Sequence, residues 1–586
     1  MSSARVIEYT FALGSLALAS LALGACRSSG DEGSEAADEV GTSESGNSSE
    51  SGNSSESGSS ESTDSGTSET GDDPSDSCVG LGLPSTPMLA PTGSEWGEVA
   101  GDFTVETTFG TWNLAENFSG CDSYVFVQHT GDSTSDSLRN SFAVDLFERS
   151  GPNVHYFFLS SADPMAGALA WQTKIGQSLA PLDAAQTEFW TERVHFVTDS
   201  PAAIVGSVGE FFAAHPSARV AAIDRAQTWD DPGSTSDTGG GSFAQSGSVL
   251  GYVSRWYDFR FAQAIALAEA QDVVEVAILD QVEFAPDCVE GEACFDVQNG
   301  PFSNANNNAI WPAQFPDAAT MAGFDRMEIV VTSRCGPDSY ADCGHWDYEA
   351  FVHLCADQAC AGDKWEMFRW ITPYSRPGTT QWVFEASPLL GLVAAGGTQH
   401  FQFGMRWNMN PAVWDMRIRL SNSGSGVASK TVLPAFVGNE GFNDTYNDWP
   451  TFEFTPPPST SKVELVALIS GHGQDEGNCA EWCNHQHEFT VNGGAPHLRE
   501  FPGQVGDQGC ANKVDEGVVP GQWGNWTPGR AGWCPGLPVQ PWVLDISAEV
   551  QLGQLNTLDY RGLYAGAPVT GTKGRILLSS YVVYYE

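Results

Sequence analysis

Met416-Arg417-Ile418-Arg419-Leu420 puts its apolar side chains on one face of an extended chain and both arginines on the other. Successive side chains point to opposite faces of a strand, so this period of two marks a sheet with one face in a core and one in water. Outward from it the same texture recurs in Met327-Glu328-Ile329-Val330-Val331, Ala350-Phe351-Val352-His353-Leu354, Phe401-Gln402-Phe403, Val463-Glu464-Leu465-Val466-Ala467-Leu468, Ile576-Leu577-Leu578 and Tyr581-Val582-Val583-Tyr584. Gly, Pro and Asn clusters separate these runs, and helical periodicity nearly vanishes from about residue 291, the pattern of β-sandwiches. That length exceeds one small sandwich. Two packed jelly rolls are expected, over 291–440 and 441–586, with Thr455-Pro456-Pro457-Pro458 near the start of the second.

Residues 78–290 read differently. Ser123-Tyr124-Val125-Phe126-Val127 and Val154-His155-Tyr156-Phe157-Phe158-Leu159 are strand-like, Ser137 to Arg149 and Ala262 to Ala270 helix-like, and Val273 to Leu279 a further strand. Strand–helix–strand order predicts an α/β domain with at least one parallel pair. The stretch Phe103-Thr104-Val105, then Gly110-Thr111-Trp112-Asn113-Leu114 before the strand at Ser123, resembles thioredoxin-type proteins. Where those carry a reactive cysteine pair, this chain has His129-Thr130-Gly131-Asp132, which implies a packing or binding role and no redox activity.

The N-terminus predicts export. Phe11 to Ala25 is apolar but too short to span a bilayer, and Leu23-Gly24-Ala25-Cys26 is similar to a bacterial lipoprotein cleavage box. Residues 1–26 are therefore expected to be removed as a leader up to Cys26, which would carry the lipid and place the protein on the bacterial cell envelope, at the outer membrane or cell surface. Residues 27–77 are Ser, Gly, Glu, Asp and Thr with almost nothing apolar, and cannot bury enough surface to offset chain entropy; they are expected to form a disordered tether.

The formal net charge is −48, and the tether, with fourteen Asp/Glu against one Arg, leaves about −35 on residues 78–586. Such a surface opposes nucleic acid and anionic membranes, because phosphate binding needs Lys/Arg patches. Thirteen cysteines, less Cys26, leave an even set of twelve for an oxidising compartment. Cys288/Cys294, Cys335/Cys343, Cys355/Cys360 and Cys479/Cys483 are close in sequence, which leaves Cys78/Cys121 and Cys510/Cys534 by elimination, with connectivity open. The spacings are not those of zinc sites.

Three stretches carry chemistry. Cys343-Gly344-His345-Trp346-Asp347-Tyr348 precedes a strand and sets a carboxylate beside a tryptophan, where a raised pKa suits a general base. Cys479-Ala480-Glu481-Trp482-Cys483 holds a glutamate between two cysteines, so it is aimed if they pair. Arg530-Ala531-Gly532-Trp533-Cys534-Pro535-Gly536 offers a planar donor fork to a carboxylate or carbonyl. Tryptophan supplies a flat apolar wall suited to a sugar ring. Taken singly, each ionisable residue is more often a loop cap or a structural ion pair.

Together, Ile469-Ser470-Gly471, Cys479 to Cys483, Gly521-Gln522-Trp523-Gly524-Asn525-Trp526-Thr527-Pro528-Gly529-Arg530 to Gly536, Cys343 to Asp347 and Trp365-Glu366-Met367-Phe368-Arg369-Trp370-Ile371-Thr372-Pro373-Tyr374 resemble bacterial peptide-N-glycosidase F, over about residues 300–586. The resemblance implies two adjacent eight-stranded jelly rolls. It also implies hydrolysis of the amide between asparagine and the first N-acetylglucosamine of an N-glycan, with no metal and a glycopeptide or glycoprotein as partner. Carried over by position, Asp347 would activate water, Glu481 would face it across the cleft, and Arg530 would be the cleft arginine. Trp346, Trp407, Trp482 and Tyr348 would contact substrate. Cys335/Cys343, Cys479/Cys483 and Cys510/Cys534 match the family's three disulfides.

The sequence departs from the family where Met405 stands for a functionally important glutamate two residues before Trp407, Tyr348 for an arginine and His472 for a cleft tryptophan. Two alternatives follow. His485 and His487 alternate onto one strand face and with His472 could bind copper, as in peptidylglycine-hydroxylating monooxygenases, which share the double jelly roll. A non-catalytic glycan-binding lipoprotein is the other. The expectation is an exported, lipid-anchored, monomeric glycoamidase.

Overall fold

The strand Ala412–Ser421 contains the Met416–Leu420 run and buries Met416, Ile418 and Leu420 almost completely. Its other face is only partly in water: Arg417 is 38% exposed, but Arg419 is buried, donating from Nη1 to Glu275 Oε1 at 2.9 Å and from Nη2 to Leu267 O at 3.0 Å, where the end of a helix reaches it. The computed structural model describes residues 78, 80–233, 246–284, 295–296, 300–301, 307–335, 347–405, 412–473, 479–504 and 506–586. The leader, Cys26 and the tether lie outside these residues, as do Cys288, Cys294, Cys343, Trp346 and Trp407.

Two antiparallel sheets form the first sandwich. One runs Gly378–Glu385, Arg326–Cys335, Ala412–Ser421, Val274–Phe284. The other runs Asn307–Asp317, Gly396–Met405, Glu349–Cys355, Lys364–Ile371, Leu537–Pro538. They share a core of Met327, Ile329, Trp382 and Trp414 from one and Trp311, Phe368, Trp370 and Phe403 from the other. Val274–Phe284, read from the sequence as the end of the α/β segment, pairs instead with Ala412–Ser421 at the edge of this sandwich. The sequence cannot assign a lone β-rich run to one sheet or another; pairing is decided by partners about 140 residues away.

The second sandwich pairs Ser429–Gly441, Arg575–Tyr585, Lys462–His472 and Trp542–Asp545 in one sheet, against Phe452–Phe454, Asn556–Tyr564, His485–Val491 and His497–Arg499 in the other. Leu465, Ile576 and Val582 meet Phe489, Leu558 and Tyr560 in its core. The runs Ile576–Leu578 and Tyr581–Tyr584 are one strand, because Ser579 and Ser580 between them are buried and continue the ladder.

The sandwiches meet through apolar and ionic contacts. Val466, Leu468, Tyr581 and Val583 join the first core. The buried Glu366–Arg369 pair, with bonds of 2.7 and 2.6 Å, reaches across: Arg369 Nη1 donates to Ser470 Oγ at 2.7 Å and Leu577 O at 3.1 Å, and Ser579 donates to Glu366.

In the α/β segment the sheet order is Val194–Phe196, Val154–Ser160, Ser123–His129, Val220–Ile223, Trp229–Asp230, with the first two pairings parallel and the rest antiparallel. The expected helix over Ser137–Arg149 is two, Ser133–Asn140 and Leu146–Arg149. The first ends where the Ser141 hydroxyl bonds back to Ser137 O at 2.7 Å, the side-chain competition that makes serine a helix terminator. Asp132, at the place compared with a thioredoxin cysteine pair, caps that helix by accepting from Ser135 N at 2.7 Å. Ala262–Ala270 proves to be the tail of a long helix, Ser246–Glu269; its first half, with Gly251, Tyr252, Trp256 and Tyr257, lacks alanine texture and is held by burial.

Disulfides join Cys78–Cys121, Cys355–Cys360 and Cys510–Cys534. Cys483 is also disulfide-bonded; the side chains of Cys335 and Cys479 lie outside the described set. Cys510–Cys534 closes a sequence separation of 24, for which loop-closure entropy gives about 3 kcal/mol. The pair of substitutions Cys510→Ala and Cys534→Ala is expected to lower unfolding free energy by about that amount in denaturant titration. A change under about 1 kcal/mol would mean the surrounding packing alone orders this loop.

Candidate active site

Asp347 lies two residues before the strand Glu349–Cys355. Its neighbour Tyr348 is pinned by reciprocal bonds to Thr372: Tyr348 N donates to Thr372 Oγ1 and Thr372 N to Tyr348 O, each at 2.9 Å. That clamp fixes where the Asp347 carboxylate leaves the sheet. Glu481 comes from the second sandwich, on the single helical turn Cys479–Trp482 that leads into His485–Val491. Arg530 comes from the long connection that ends in Leu537–Pro538, paired to Trp370–Ile371 of the first sandwich. Three chain segments far apart in sequence thus converge where the sandwiches meet.

Arg530 is fully buried. Its Nη1 donates to Pro528 O at 2.6 Å and its Nη2 to Asn525 O at 2.5 Å. Asp347 Oδ2 lies 4.0 Å from Nη2 and Glu481 Oε1 3.6 Å from Nε. Its guanidinium carbon sits 3.9 Å from the Trp482 ring centroid and 5.2 Å from that of Trp533. Gly532, between Arg530 and Trp533, has φ +88°, and a Cβ there would lie 2.3 Å from Ile469 O, so only glycine lets this segment approach the strand so closely. Trp533 Nε1 donates to Gly471 O at 2.7 Å.

Burial pushes the Asp347 carboxyl above its ordinary range, while Arg530 and a hydrogen bond from Tyr374 oppose the shift. Glu481 is pushed up to about 7, first by burial and then by the Asp347 charge, with Arg530 opposing. Gly473 N donates to Glu481 Oε2 at 3.2 Å. Two carboxylates around one guanidinium at a tryptophan-walled surface make a site that can hold a base and a proton together near neutral pH.

The folded Glu481 binds its proton more tightly than its ordinary value of 4.5, so its contribution to stability is full below that pH and is lost as pH rises toward 7. Glu481→Gln should therefore match the parent in unfolding free energy near pH 4.5 and exceed it by about 3 kcal/mol at pH 8, at about 1.36 kcal/mol per pKa unit. Denaturant titration at both values checks this, and a pH-independent difference would contradict the shift.

The structure brings Asp347, Glu481, Arg530 and Trp482 together. The Tyr348 ring packs among residues of the first core, beside Asp347. The register puts Met405 opposite Ala350, and both side chains lie in the core, so this position faces the interior rather than the Asp347 carboxylate.

Sequence reasoning missed three neighbours. Tyr374 bonds Asp347 and is buried against the connection, with Tyr374 N donating to Gln522 Oε1 at 2.8 Å. Trp533 stacks on His472 with ring centroids 5.1 Å apart. Glu349 accepts from Arg575 and lies 3.4 Å from His472 Nδ1. The spacing of Asp347 and Glu349, two apart on an extended chain, is a legible signal that both point one way.

The histidines proposed for copper are engaged otherwise. His485 Nε2 meets Ala480 O at 3.0 Å and so carries the proton; His485 Nδ1 then accepts from His487 Nε2 at 2.6 Å, and His487 Nδ1 accepts from Tyr560 OH at 2.6 Å. Both lone pairs a metal would need are spent, and burial keeps both rings neutral, His485 down at about 4. His472 bonds Ser470 Oγ at 2.8 Å. Among the described residues no cluster of three His, Cys, Asp or Glu has the geometry to hold a metal ion.

Residues 441–583 match the family model described as peptide-N-glycosidase F, C terminal. A relative from Elizabethkingia miricola, peptide-N(4)-(N-acetyl-beta-D-glucosaminyl)asparagine amidase F, is 27% identical over 347 residues, 55% of this chain and 87% of that one. A solved structure of PNGase F, a glycosylasparaginase from Flavobacterium meningosepticum, aligns at 19% identity and TM-score 0.42, covering 54% of this chain and 96% of that chain. A structure of PNGF-II aligns at 10% identity and TM-score 0.40, covering 55% and 67%.

Proposed function

We propose that this chain, whose residues 441–583 match the peptide-N-glycosidase F C-terminal model, hydrolyses the amide joining asparagine to the first N-acetylglucosamine of N-linked glycopeptides or partly unfolded glycoproteins. The observation that carries this reading is Asp347 and Glu481, from different sandwiches, held 4.0 and 3.6 Å from one buried guanidinium. Asp347 takes a proton from water as the oxygen attacks the amide carbon. The C–N bond then breaks as that proton passes to the nitrogen, which leaves as a glycosylamine that a second water later converts to the free sugar and ammonia; the peptide keeps an aspartate. Glu481 and Arg530 position the amide and first sugar. Trp482, with Trp346 and Trp407 outside the described residues, walls the sugar.

In this reading no metal takes part, the sandwiches are the family's paired jelly rolls, and the chain works as a monomer. The leader anchors it through Cys26 to the cell envelope, with 27–77 as a tether for the folded segments from 78 onward.

The test is incubation of the purified protein with a denatured glycoprotein, reading released glycan and the Asn-to-Asp mass change. No product above an Asp347→Asn control would reject the activity. Retention of glycan without turnover would make the protein a binder instead.

A further inference from the structure

The connection carrying Arg530 does not rest on the sandwiches alone. The helix Ser246–Glu269 of the α/β segment packs against it. The Tyr252 and Trp526 rings, both fully buried, meet edge to face at 6.0 Å and 88°. Trp526 follows Asn525, whose carbonyl is one of the two that hold the Arg530 guanidinium. Three residues along the same helix, Arg255 Nε donates to Asp515 Oδ1 at 2.9 Å and Arg255 Nη2 contacts the other oxygen. A little before the helix, Pro232 closes on Gly521: a Cβ on Gly521, at φ +71°, would lie 2.0 Å from Pro232 O. Arg376 ties the same region together, donating from Nε to Pro520 O at 3.2 Å and stacking 5.4 Å from the Trp256 ring centroid. These contacts from the α/β segment span residues 515 to 526 of the connection.

We propose that Tyr252 and Arg255 are positioning residues for Arg530, acting through Trp526 and Asp515, so that the α/β segment forms the back wall of the reacting cleft. The inference rests on the reading of Asp347, Glu481 and Arg530 as that cleft. A guanidinium held by two backbone carbonyls is only as fixed as the loop that carries them. A displacement of about 1 Å there can lower turnover by up to about 10²-fold. The segment then contributes geometry, without touching substrate.

The test compares Tyr252→Leu and Arg255→Gln with the parent and with Ile175→Val, which loosens the α/β core away from the connection. Tyr252→Phe is included because it keeps the ring against Trp526 while losing only the hydroxyl that accepts from Arg149 Nη1 at 3.2 Å. Two readouts are taken. In hydrogen exchange by mass spectrometry, peptides over 511–528 should exchange faster in Tyr252→Leu and Arg255→Gln and unchanged in Tyr252→Phe and Ile175→Val.

In glycan release, kcat/KM should fall about 10-fold or more in the first two variants. The acid limb of their rate profile should also move to higher pH. Asp347 faces Arg530, Tyr374, Glu349 and Glu481, and a guanidinium that drifts away no longer favours its ionised form. Faster exchange with unchanged rate and profile would overturn the positioning role, as would unchanged exchange. A parent with no activity would sink the proposed function, and the exchange measurement would still decide whether the helix orders the loop.

Discussion

Asp347→Asn is expected to lower glycan release by about 10²–10⁴-fold, the usual contribution of a general base, with little loss of stability. The amide is isosteric with the carboxyl and still accepts the hydrogen bond from Tyr374, so the clamp at Thr372 and the strand Glu349–Cys355 are undisturbed. The charge is what is lost. Burial already holds the parent carboxyl above its ordinary range, so the parent itself should lose activity on the acid side at a higher pH than a free aspartate would. A single-turnover assay separates this loss from weaker binding: kcat should fall while KM changes little. An Asn variant with parental kcat would remove Asp347 from the chemistry.

Arg530→Gln should do more, and to the fold as well. The parent side chain is fully buried between two carboxylates and donates to two backbone carbonyls. Removing it leaves the carboxylates without a counter-charge and the carbonyls of Asn525 and Pro528 without donors, and breaking one partner from a buried ionic cluster costs about 3–5 kcal/mol. Arg530 holds both carboxyl pKa values down, so its loss raises them; the stability deficit should therefore be smaller at pH 5, where both groups can protonate, than at pH 8. Denaturant midpoints at the two pH values read this directly. Arg530→Lys keeps the charge but cannot span both carbonyls, and should fall between the parent and Gln. Equal midpoints for all three proteins would show that the guanidinium carries no structural load.

The strands of the two sandwiches could be read from alternation alone, because a side-chain period of two is local and survives without knowledge of partners. Asp347, Glu481 and Arg530 could be singled out as candidates for a different reason: tryptophan, glycine and cysteine crowd around each, and their stretches resemble one family, although each taken singly is more often structural. Pairing was not legible. Val274–Phe284 belongs to the first sandwich because Ala412–Ser421 offers it an edge, and no property of its own residues says so. Nor was burial. Tyr348 and Met405 stand beside candidate positions in sequence, yet both side chains pack in the core.

Two histidines at alternate positions do face one way, but whether their nitrogens await a metal or bond to each other and to Tyr560 depends on a strand more than 70 residues away. The sequence by itself determined the kind of structure and the residues able to do chemistry, since both follow from side-chain identity and short-range spacing. Only the tertiary structure decided which of those residues meet, because contact, burial and proton affinity are set by neighbours that the chain brings in from a distance.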